Sequence, residues 1–140
     1  MAKTTELEAA YQATTYRIFL PGGMCDLRLN QASETLRSWL ETAGASQFTI
    51  LTAHNPGAKQ FDQSSNMARQ SQMEIELLEA GYEPYAGENE ADQSDWPVEE
   101  TCFIADIDLP LAREIGAKYG QNAFVHGVAD GVPRLIWIEK

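Results

Sequence analysis

Basic residues are scarce in this 140-residue chain: ten Lys and Arg face 21 Asp and Glu, a formal net charge of −11. A surface of that sign repels a phosphate backbone, so direct nucleic-acid binding is not expected. Long apolar runs are missing too. No segment approaches the roughly twenty residues a membrane span needs, and residues 1–6 carry no signal-peptide core. Only two cysteines occur, Cys25 and Cys102, each alone in an apolar alternating segment. They read as buried reduced thiols, not as a disulfide or a metal knuckle. His54 and His126 lie far apart and form no HxxH or HxxxH zinc pair. Gly-rich phosphate loops and GxSxG nucleophile elbows are absent as well. No metal site is expected, no motif names a cofactor, and a cytoplasmic location is the expectation.

What is present suffices for a core. Hydrophobic residues make up 44%, and the length suits one globular domain over residues 1–140. Leu7, Ala10, Tyr11 and Thr14 share one helical face over about 5–14. Residues 16–20 and the Cys25/Leu27/Leu29 alternation flank Pro21-Gly22-Gly23, which predicts a hairpin with one wet face. Ser33 caps a helix striped by Leu36, Trp39, Leu40 and Ala43, and Gly44 stops it. Residues 48–51 suit a central strand and 64–80 a helix ended by Gly81. A short strand over 82–87 is expected to precede a long acidic loop running from Glu88 through Trp96-Pro97 to Glu100. A strand over 101–105 follows, then a helix capped by Asp108 with Pro110 in its first turn, and Gly120 past its end. Finally, 123–128 and 132–138 flank Asp130-Gly131, a hairpin signal. The order ββαβαββαββ, behind an optional leading helix, predicts an α/β fold of the α+β sandwich type: a mixed sheet of about five to seven strands with three or four helices.

Polar chemistry concentrates at Thr52-Ala53-His54-Asn55-Pro56-Gly57, which leads through Lys59 and Asp62 into Ser64-Ser65-Asn66-Met67-Ala68-Arg69. A strand that empties into a polar loop and then a helix is a common place for ligands in α/β proteins. Turn chemistry accounts for Pro56 and Gly57, with Asn55 extended before the proline. It does not account for His54. Asn66 shares a helix face with Arg69 and Gln70. Arg69, near a helix N-terminus, either pairs with an acid such as Asp62 or Glu99 or helps hold an anion. The acidic stretch echoes a calcium loop, but Gln93 stands where a glycine is required, so an EF-hand is excluded. Trp96 is expected to fold back as a lid or wall. Gln121-Asn122 fits helix-exit turn chemistry and also offers amide donors.

Tyr16, Thr52-Ala53-His54-Asn55-Pro56, Asn66, Trp96-Pro97 with Glu99-Glu100-Thr101, and Gly120-Gln121-Asn122-Ala123 together resemble the bacterial domain of unknown function 3293 family. The similarity runs from about Tyr11 to Trp137. It implies no assigned activity, and it implies that the His54 position is often aromatic, which favours stacking or packing there over a general-base role. The expected site is a pocket lined by His54, Asn55, Asn66, Arg69, Trp96, Gln121 and Asn122 for a small polar or anionic molecule. Glu99, Glu100 and His54 are the catalytic candidates should the pocket be enzymatic. The alternative is an acidic interaction module for a basic protein partner.

Overall fold

The computed structural model describes residues 2–93 and 96–138. Helix α1 (Ala2–Gln12) leads into β1 (Thr14–Leu20), whose β-branched and aromatic residues suit a pleated surface. Gly22 and Gly23, both at positive φ, turn the chain into β2 (Gly23–Leu27). Ser33 Oγ accepts from Leu36 N at 3.2 Å to start α2 (Glu34–Ala43), and Gly44 at φ 71° ends it. Strand β3 (Gln47–Leu51) is followed by a short 3-10 turn (Pro56–Ala58) and α3 (Gln63–Glu79). Then come β4 (Tyr85–Ala91), β5 (Glu99–Ala105), α4 (Leu109–Lys118), β6 (Ala123–Val128) and β7 (Arg134–Trp137).

The seven strands form one sheet in the order β2-β1-β4-β5-β3-β6-β7. The α/β class, the strand and helix numbers and the element order are those read from the sequence. The direction differs: all six pairings are antiparallel, not mixed. Three hairpins, β1–β2, β4–β5 and β6–β7, are antiparallel by construction, and β3 fits between β5 and β6 in the remaining direction. The long acidic loop is also shorter than expected, since β4 runs on to Ala91 and β5 starts at Glu99. Glu88 and Glu90 sit in β4 because Arg17 on neighbouring β1 draws them to the open face, at 3.8 and 3.3 Å.

Alternation along the strands divides the core in two. Tyr16, Ile18, Cys25, Leu27, Phe48, Ile50, Phe103 and Val125 point to the inner face, where α2 adds Leu36 and Leu40. Leu51, Cys102, Ile104 and Phe124 point outward beneath Met73 and Leu77 of α3 and Ala112 and Ile115 of α4. Both cysteines are free and buried. The sheet curls until the chain beyond β2 meets the loop before β7: Asn30 N donates to Pro133 O at 2.8 Å and Ser33 N to Gly131 O at 3.1 Å. Among the described residues, no helix is long and apolar enough to cross a membrane.

Candidate ligand-binding cavity

Where β3 leaves the core at Leu51, the next six residues have no ladder to join, so their backbone groups need other partners. Side chains of α3 supply them. Ala53 N donates to Gln70 Oε1 at 2.9 Å, Arg69 Nε donates to Ala53 O at 3.1 Å, and Asn55 N donates to Asn66 Oδ1 at 2.8 Å. From the other flank, Gln121 Nε2 donates to His54 O at 3.0 Å and Gly57 N to Gly120 O at 2.7 Å. A Cβ at Gly120 would lie 2.8 Å from that of Pro56. The loop is clamped from both sides.

Asn55 takes φ 49° and ψ 61°, left-handed and not the extended form expected before proline. Its side chain explains the exception. Oδ1 accepts from Phe61 N at 2.8 Å and from Asn66 Nδ2 at 2.9 Å, while Nδ2 donates to Glu99 Oε2 at 2.6 Å. A left-handed non-glycine residue persists when its surroundings over-determine it.

Asn55 thereby joins the loop to a cavity of about 580 Å³. The cavity lies at the end of the sheet where β1, β5 and β6 begin and β3 and β4 finish, with Leu7, Ala10 and Tyr11 of α1 along one side. Among the described residues, Glu99 is its one lining Asp, Glu, Lys or Arg. The same Oε2 also accepts from Trp96 Nε1 at 3.0 Å, so Trp96 folds back as a wall. No described residue bonds to Oε1. Burial pushes the Glu99 carboxyl above its ordinary value, with the Asn55 and Trp96 hydrogen bonds opposing it. Burial likewise raises the Tyr11 phenol to about 12, Glu99 adding to the effect, and raises Tyr16 further. Asn89 stands opposite Glu99 in the β4–β5 register, and its buried Oδ1 has no partner among the described residues.

Glu100 belongs to the other face. It borders an outer groove of about 730 Å³ together with Glu74, Glu88, Asn66 and four exposed apolar side chains, Phe19, Phe61, Met67 and Val98. Burial, then Glu100, raises the Glu74 carboxyl. His54 touches both hollows, yet it is buried and its Nε2 has no partner among the described residues. Burial holds its pKa below the ordinary value, Arg69 adding to the effect and Glu100 opposing it. Burial also pushes the Cys102 thiol to about 12, far from a reactive thiolate.

A family model described as "Protein of unknown function (DUF3293)" matches residues 51–124. The chain belongs to this family. No curated protein and no solved structure matches the chain. The DUF3293 match starts at the end of β3 and closes just inside β6, so it contains both clamps of the loop and Glu99.

Within the DUF3293 region, the site residues expected from the sequence fall into separate groups. His54, Asn55, Trp96, Glu99, Gln121 and Asn122 line the inner cavity. Asn66 and Glu100 reach only the outer groove. Arg69 lines neither, and among the described residues it pairs with neither Asp62 nor Glu99. Its Nη2 donates to Asn66 Oδ1 at 2.7 Å and its guanidinium lies 4.7 Å from the Phe61 ring centre. Tyr11, Tyr16, Asn89 and Gln93 are among the lining residues that the sequence reading did not assign to the cavity. A polar Asn89 between Gly87 and Ala91, at the inward phase of a strand, was the available signal.

Proposed function

We propose that this DUF3293 protein binds a small polar molecule in the inner cavity and that Glu99 is the group that meets it. One observation carries this reading: a carboxylate at the cavity wall is fixed by two donors on one oxygen while the other oxygen has no partner among the described residues. A carboxyl raised by burial and held in place also suits proton transfer, which makes Glu99 the general acid–base group if the ligand is turned over. The anionic version of the ligand has less support. Arg69 is engaged within the fold, and the α3 N-terminus is capped by Asp62, whose Oδ2 accepts from Ser65 N at 3.2 Å. The test is thermal stabilisation of the purified protein by a metabolite panel, compared with Ala91→Phe, which fills the cavity from β4. Stabilisation lost in the filled variant supports the reading. Hits that persist in Ala91→Phe, or none across the panel, refute it.

A second reading rests on the outer groove, where Phe19, Phe61, Met67 and Val98 accompany Glu74, Glu88 and Glu100. Apolar contacts rimmed by carboxylates suit a basic, amphipathic partner segment. Such binding would weaken steeply with salt and with Glu88→Gln/Glu100→Gln, and a salt-insensitive interaction would remove its basis.

A further inference from the structure

The inner cavity holds two oxygen acceptors that the described residues leave open: Glu99 Oε1 has no partner among them, and neither has the buried Oδ1 of Asn89, the residue opposite in the register. Two donors that could have served a ligand are already turned to the protein. Trp96 Nε1 and Asn55 Nδ2 both point at Glu99 Oε2. The Tyr16 hydroxyl also donates internally, to Tyr11 O at 3.0 Å. Among the described residues, no Lys or Arg lines the cavity. Arg28, near enough to influence Tyr16, is paired with Asp92 at 2.7 Å. Around Glu99 the walls are aromatic, with Tyr11, Tyr16 and Trp96.

From this we infer that the cavity selects an organic cation, a ligand carrying an ammonium or guanidinium group that donates to Glu99 and Asn89 and rests against Tyr11, Tyr16 and Trp96. The inference rests on the small-ligand reading above and names its substrate class. Each part of the wall does a separate task. Glu99 supplies the opposite charge, in a setting where water competes little. Asn89 supplies a second acceptor, matching the several N–H donors of such a group. The aromatic faces attract a cation through their quadrupoles and repel an anion. The hydrogen bonds from Asn55 and Trp96 hold the carboxylate still, so that the cation meets a fixed acceptor. A neutral ligand of the same shape would bring no opposite charge to the carboxylate, and an anion would be repelled by it.

The experiment uses matched probes on the full chain: phenethylamine, 2-phenylethanol and phenylacetate, with butylamine, butanol and butyrate as a second series, by calorimetric titration at pH 7.5. The amine of each set is expected to bind at least ten-fold more tightly than its neutral and anionic counterparts. Glu99→Gln, which keeps the shape and one accepting oxygen, is expected to abolish that preference. Asn89→Leu removes the second acceptor and should weaken amine binding with less effect on the alcohols. Amine affinity of the native protein should fall as pH drops and Glu99 takes up a proton, and the Glu99→Gln variant should lack that slope. If the alcohols or carboxylates bind as well as the amines, and Ala91→Phe blocks them, the cation inference fails while the small-ligand reading stands. If no probe binds, or if amine binding survives Glu99→Gln unchanged, the cation inference is overturned.

Discussion

The loop at residues 52–57 and the cavity wall beside it share Asn55, yet they treat polar atoms in opposite ways. In the loop nearly every group has a partner: Asn66 alone bonds to Asn55 through both its oxygen and its nitrogen and also accepts from Arg69. On the wall, Glu99 uses one oxygen within the protein, and Asn89 Oδ1 has no partner among the described residues. Saturation is what a scaffold needs, because an unpaired buried group costs about 1–3 kcal/mol. Unsatisfied acceptors beside a hollow are what a ligand needs. Residues that look alike in the sequence, Asn55, Asn66, Asn89 and Gln121, therefore serve different ends according to what surrounds them.

The largest expected effect lies on the saturated side. Asn66→Ala strips partners from Asn55 N, Asn55 Oδ1, Phe61 O and Arg69 at once. It should cost about 2–4 kcal/mol in urea unfolding, in line with breaking a buried network. A loss below about 0.5 kcal/mol would mean that the loop is not held from α3. Next comes the left-handed backbone at Asn55. Both Asn55→Gly and Asn55→Ala lose the side-chain bonds, but at φ 49° alanine carries an extra penalty. The alanine variant should be the less stable by about 1 kcal/mol. Equal stabilities would show that the loop relaxes out of this conformation.

The wall should respond in the opposite sense. Glu99 has its folded-state pKa raised, chiefly by burial. The folded protein thus holds this proton more firmly than the unfolded chain does. The stability that follows is present in full at low pH and is lost as pH rises through the folded-state value. At pH 7.5, above the ordinary carboxyl value, the buried Glu99 is therefore a liability that Glu99→Gln removes. The variant should melt a few degrees above the native protein at pH 7.5, and the gain should vanish near pH 4. Destabilisation at both pH values would make Glu99 a member of the scaffold and dissolve the contrast.

The sequence made the elements legible because their punctuation is local: Ser33 and Gly44 bracket α2, and Gly131 at φ 73° turns β6 into β7. It concealed what depends on contacts remote along the chain. Glu88 and Glu90 looked like loop residues until Arg17 of another strand paired with them. Asn55 broke the pre-proline rule because the segment before α3, α3 itself and β5 supply its side chain with three partnerships, to Phe61, Asn66 and Glu99. The meeting of the His54, Trp96 and Gln121 segments was inferable from their shared polar character. Which of those residues would face the hollow was not, since Glu99 and Glu100 are adjacent and point to opposite faces through the alternation of β5.

His54 gives the smallest effect and the finest probe of the contrast, because it borders both hollows while belonging to the clamped loop. Its carbonyl is engaged by Gln121, whereas its ring Nε2 is buried without a partner among the described residues. Its pKa is held below the ordinary 6.5, first by burial and then by Arg69. Near that pH the unfolded chain binds a proton that the folded protein refuses, so stability falls as pH drops from 7.5 through the ordinary histidine value. Phenylalanine fits an apolar site without that proton and without an orphaned nitrogen. His54→Phe should match or exceed the native stability at pH 7.5, by up to about 1 kcal/mol, and widen its advantage at pH 5.5. A variant clearly less stable at both pH values would mean that the imidazole makes a bond the loop depends on, and the site would then extend across the loop from the inner cavity to the outer groove.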